Sequence, residues 1–213
     1  MFIENRGPSY NFCIRSTSFP PIPDRFMDKI LNYDQEKIIT RSTDRILETG
    51  NGTYANAKLT RHPVEDELTD WVRENISDEF TDVSVQVIRD GDTAGAHTDK
   101  LRRFALFYLC QPGGSNVITK WYQQQNHALW RDEWVVCSKY DDLEVVHETK
   151  IPTNQWFLFN GRLIHDVQNI ETKRITVIIG FNFLPESLEE IARTECLEYK
   201  EHSGIPASGL SGC

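Results

Sequence analysis

His97 and Asp99 stand two residues apart in the stretch from Gly95 to Cys110, GAHTDKLRRFALFYLC. In an extended chain, residues i and i+2 point to the same face. An imidazole and a carboxylate are thereby aimed at one point. A third donor, His165, lies far downstream in Arg162-Leu-Ile-His-Asp-Val-Gln168. Two imidazoles and one carboxylate that leave coordination positions open suit an Fe(II) ion that handles oxygen. A lone HxD triplet is weak evidence, because most such triplets mark an ordinary strand. The other histidines are read without a metal role: His62 as a helix cap, and His127, His147 and His202 as surface or loop residues. What strengthens His165 is Arg174, nine residues on, at the head of Arg-Ile-Thr-Val-Ile-Ile-Gly-Phe181. A guanidinium leading an apolar strand is costly to bury unless it meets an anion. Its planar fork suits a carboxylate. Arg102 and Arg103 are competing cations, at least one of them a solvated charge.

The elements that must position these residues change character along the chain. Residues 1–22 read as an extended leading segment with one strand near Phe12–Ile14. Pro23–Leu31 reads as a short helix with Phe26, Met27, Ile30 and Leu31 on one side. Residues 34–61 are polar and aperiodic. His62–Ile76 is the best helix, with Val64, Leu68, Trp71, Val72 and Ile76 on one stripe, Pro63 at the first helical position and three acids in the first turn. From Val83 the period becomes two. Strands are expected at Val83–Val87, Phe104–Cys110, Ser115–Trp121, Trp134–Cys137, Leu143–His147, Gln155–Phe159, Leu163–Val167 and Arg174–Phe183. Asn160-Gly161 is a hairpin-type turn signal, Pro185–Arg193 a helix, and the Gly- and Ser-rich tail mobile. Helices followed by many short strands predict a mainly β fold with flanking helices, a double-stranded β-helix (jelly roll, cupin-like) on N-terminal helical support.

The chain has 213 residues and a formal net charge of −9. That length suits a single domain, read as helical support over 1–80, a jelly-roll core over 83–183, and a C-terminal helix and tail over 184–213. The negative balance disfavours nucleic acid as a partner. No run of eighteen apolar residues marks a membrane span, and no secretory signal is visible. Five cysteines form no CxxC pair. They are read as reduced and structural in a cytoplasmic protein.

With the HxD pair, His165 and Arg174 in place, the chain resembles the 2-oxoglutarate- and Fe(II)-dependent dioxygenases, within them the prolyl-4-hydroxylase-like group. The strand Ala-Leu-Phe-Tyr108-Leu is similar to that group's Tyr-Leu strand, and His165 through Arg174-Ile-Thr-Val to its final-strand pattern. The resemblance covers roughly 83–183. It implies that His97, Asp99 and His165 ligate iron. Arg174 and Tyr108 would hold the distal carboxylate of 2-oxoglutarate, and Thr176, on the face of Arg174, could add a hydroxyl. It further implies O2 as oxidant, ascorbate as a possible helper, and release of succinate and carbon dioxide on hydroxylating a C–H bond of a small-molecule or peptidyl substrate. The group's tyrosine about ten residues before its first histidine is missing, and Gln86, Val87 and Arg89 occupy that neighbourhood. Because Asp99 is present, hydroxylation is favoured over halogenation. Two other classes compete: an inactive cupin-like domain binding a metal or small acid, and a metal enzyme of this fold that uses no 2-oxoglutarate. Asn160, Trp121, Asp166 and Asn182 are candidates to orient the histidines.

Overall fold

A computed structural model describes residues 14–16, 19–33, 48–49, 52–53, 59–89, 95–99, 102–124 and 141–188. In chain order the elements are β1 (Ile14–Ser16), α1 (Asp24–Leu31), β2 (Glu48–Thr49), β3 (Gly52–Thr53), β4 (Leu59–Pro63), α2 (Asp66–Asn75), β5 (Asp82–Ile88), β6 (Phe104–Pro112), β7 (Ile118–Gln124), β8 (Leu143–Thr149), β9 (Trp156–Asn160), β10 (Ile164–Gln168) and β11 (Arg174–Phe181). Six strands form an antiparallel sheet in the order β1-β9-β6-β11-β5-β4, and three more form a second sheet, β10-β7-β8. The chain crosses between them directly, from β9 to β10. The fold is the expected jelly roll.

Alternation along the strands of the large sheet sorts two environments. Val85, Val87, Leu106, Tyr108, Ile175, Val177 and Ile179 belong to one core with Phe26 and Ile30 of α1 and Leu68, Trp71 and Val72 of α2. The helix stripes read from the sequence are therefore the buried ones. Each fully buried aliphatic or aromatic side chain there is worth roughly 1.5–3 kcal/mol. The intervening residues Gln86, Phe107, Thr176 and Ile178 face the other way, into a pocket between the sheets.

Three local expectations change. The first 80 residues are not purely helical support, because β1 and β4 form the two edges of the large sheet. His62 and Pro63 end β4, paired with Val85 and Ser84, so His62 is no cap and Pro63 does not start α2. A proline lacks an N–H for the ladder and is tolerated on an edge strand. Asn160-Gly161 is a turn, but it joins strands of different sheets rather than a hairpin. The predicted strand at Trp134–Cys137 and most of the predicted C-terminal helix lie outside the described residues, as do His127 and His202. No helix among the described residues is long and apolar enough to cross a membrane.

Candidate metal centre

His97 precedes β6 and forms an isolated antiparallel bridge with His165 of β10, each backbone N–H donating to the other's carbonyl at 3.0 and 2.9 Å. This bridge ties the HxD segment to the small sheet. Asp99 N–H donates to Gly161 O at 2.6 Å and Gly161 N–H to Arg103 O at 2.8 Å, which fasten the same segment to the β9–β10 crossing. One ligand atom from each of His97, Asp99 and His165 lies within 4.8 Å of the others. Residues 66–68 positions apart in sequence are thus gathered by topology.

Both imidazoles are oriented by main chain rather than by the side chains expected. His97 Nδ1 is 2.7 Å from Gly95 O, and His165 Nδ1 is 2.7 Å from Leu163 O. A carbonyl only accepts, so each Nδ1 donates to it and each Nε2 is the ring atom left to meet a metal. Asn160 instead accepts from Arg162 N–H, and Asp166 accepts from Tyr122 and Gln168. Trp121 is core, beside Phe157, Phe159 and Leu163. Two imidazoles with a carboxylate fit Fe(II) or a similar divalent ion. His147 sits apart on β8, its ring 5.4 Å from that of Trp121.

Burial first, then the neighbouring His97 ring, push His165 down to about 3 from an ordinary 6.5, against the pull of Asp99. The imidazole is ready to ligate across the physiological range. Between pH 6.5 and about 3 the unfolded chain binds a proton that folded His165 refuses. Metal-free protein should therefore lose stability as pH falls through that window. Urea unfolding at several pH values should show the loss, and His165→Asn should flatten it. The half-buried His147, also lowered by burial, contributes in the same direction.

The triad opens on a cavity of about 40 Å³ that is also lined by Arg174, Thr176, Gln86, Thr119 and Arg102, with Ile88, Phe107, Phe159 and Ile178 as apolar walls. Arg174 and Thr176 therefore share the pocket with the triad. Arg174 is 5% exposed, and its Nη1 donates to Pro112 O at 3.3 Å.

Tyr108 is a correction. It lies on the opposite face of the large sheet, its ring 5.0 Å from Trp156, in the core under the helices. Strand alternation sends its neighbour Phe107 into the pocket instead. Two further polar residues line the pocket without having been expected there: Gln86, opposite Thr176 in the β5–β11 ladder, and Thr119 of β7. A signal for Gln86 existed, since Val85 and Val87 claim the helix-facing side and leave it the other.

Gly161 has little room for a side chain. A Cβ there would come within 2.7 Å of Arg102 O and 2.9 Å of Asp99 Cβ. Gly161→Ala should displace Asp99, weakening metal binding and lowering stability by about 1–3 kcal/mol. Metal titration and denaturant melts on the one variant check both.

No protein-family model matches the chain, and no curated protein does. Among solved structures, the chain is similar to the X-ray structure of E. coli ycfD, at 13% identity and a TM-score of 0.40, covering 71% of this chain and 40% of that one. A crystal structure of the Escherichia coli ribosomal oxygenase YcfD gives 14% identity and a TM-score of 0.32, covering 66% and 31%. The vicilin from Solanum melongena gives 7% and 0.35, covering 63% and 31%. The chain thus covers less than half the length of each.

Proposed function

We propose that this chain is a 2-oxoglutarate- and Fe(II)-dependent dioxygenase that hydroxylates a C–H bond, of the prolyl-4-hydroxylase-like kind. The observation that carries the reading is that Arg174 lines the same pocket as His97, Asp99 and His165. A metal triad alone would serve many chemistries. A buried guanidinium on the same pocket wall can take the free carboxylate of an anion that also reaches the metal.

In this reading His97, Asp99 and His165 hold the metal, and Arg174 holds the distal carboxylate of 2-oxoglutarate. Gln86, Thr119 and Thr176 take the hydrogen-bonding part that Tyr108 does not. Ile88, Phe107, Phe159 and Ile178 exclude water around the reacting centre. Bound together, Fe(II), 2-oxoglutarate and O2 supply an oxidative decarboxylation to succinate and carbon dioxide coupled to hydroxylation. The chain contributes geometry and a dry site. The substrate is a peptidyl residue or a small molecule, and the acidic chain disfavours nucleic acid.

The test is succinate formation from 2-oxoglutarate with Fe(II) and ascorbate, followed by mass spectrometry of a peptide library and a metabolite extract for products heavier by one oxygen. Succinate is expected. An absence of 2-oxoglutarate binding in calorimetry with Mn(II) present would overturn the reading. Metal binding without it would favour an inactive cupin-like domain or a metal enzyme independent of 2-oxoglutarate.

A further inference from the structure

Arg102 follows the HxD pair by three residues and is 3% exposed, whereas its neighbour Arg103 is only partly buried. Its Nη2 donates to Asp99 Oδ1 at 3.3 Å. That same oxygen lies 3.9 Å from His97 Nε2, on the side where the triad converges. The aliphatic stem runs over Gly180, where a Cβ would come within 2.4 Å of Arg102 Cδ. The gap beside β11 is thus one that only glycine leaves open for this side chain. Arg102 Nη1 is buried with no hydrogen-bond partner among the described residues. A guanidinium placed for its own hydrogen bonding would not leave a buried donor unmatched. Its position is instead explained by the hydrogen bond it does make, to Asp99.

We propose that Arg102 is a positioning residue of the metal centre: it holds the Asp99 carboxylate in the rotamer that turns Oδ1 toward the two imidazoles. The proposal rests on the metal-centre reading above. Two effects oppose each other. The hydrogen bond preorganises a ligand, and losing such an outer partner costs about 10–100-fold in metal affinity. The guanidinium charge also repels a divalent ion, so its removal on that ground alone would tighten binding. The buried, directional contact to a ligand oxygen makes the first effect the larger.

The experiment titrates the full-length chain with Co(II), reading visible absorption and thermal unfolding with and without the ion. Wild type should take up Co(II) with a defined spectrum. Arg102→Gln should bind about tenfold or more weakly, with shifted bands, and R102K should recover part of the affinity by restoring a donor. Arg103→Gln, which removes the same charge close by, should behave as wild type. If Arg102→Gln does not fold, R102K carries the test, and it should bind Co(II) more weakly than wild type. Wild-type or tighter Co(II) affinity in the folded Arg102 variants overturns the proposal, as does an equal loss in Arg103→Gln. Failure of wild type to take up Co(II) overturns the metal-centre reading itself.

Discussion

His165→Ala is expected to abolish divalent metal binding, read by calorimetry with Mn(II) or Co(II), while His147→Ala leaves it intact. His165 is 7% exposed, and its Nδ1 is engaged by Leu163 O, so Nε2 is its only ligand atom. Removing it leaves His97 and Asp99, one imidazole and one carboxylate, of the triad on the pocket wall. Among the described residues no other His, Cys, Asp or Glu group clusters at ligand spacing. The imidazole also packs edge-on against Phe159 at 4.3 Å, so the variant leaves a small void. Some stability loss should accompany the loss of metal. His147, half-buried on β8, makes the control for histidine loss as such. Equal behaviour of the two variants would show that the triad is misassigned.

Arg174→Ala should weaken 2-oxoglutarate binding by about two orders of magnitude or more while leaving metal affinity nearly unchanged. Truncating one partner of a buried, hydrogen-bonded charge pair costs about 2–5 kcal/mol, and each tenfold in affinity is about 1.4 kcal/mol. Arg174 qualifies because it is 5% exposed and shares the pocket with the triad. R174K should recover little, because a point charge cannot offer two parallel donors to one carboxylate. Calorimetry with Mn(II)-loaded protein separates the two affinities. Unaltered 2-oxoglutarate binding in Arg174→Ala would mean that the anion sits elsewhere, with Arg102 the next cation to test.

Much of this arrangement was legible in the residues. The helix stripe of α2 and the strands from Val83 onward follow from periods of 3.6 and 2, which are local properties of the chain. The same period placed His97 with Asp99, and Arg174 with Thr176, on common faces. The edge strand β4 was not legible, because Leu59-Thr-Arg-His-Pro63 has no marked alternation and gains its structure from pairing with β5. The orienting groups of the histidines were hidden for a related reason. They are main-chain carbonyls, which every residue possesses and no sequence distinguishes.

By itself, then, the sequence determined the jelly-roll class, the donor types and the same-face pairs, since these depend on residue chemistry and local repeat. Tertiary structure decided which distant faces meet. Tyr108 and Phe107 are equally good strand residues, and only the seating of α1 and α2 on one side of the large sheet assigns Tyr108 to the core and Phe107 to the pocket. Arg102 and Arg103 are likewise indistinguishable as letters. The space over Gly180, open only because β11 passes there without a side chain, draws Arg102 inward to Asp99.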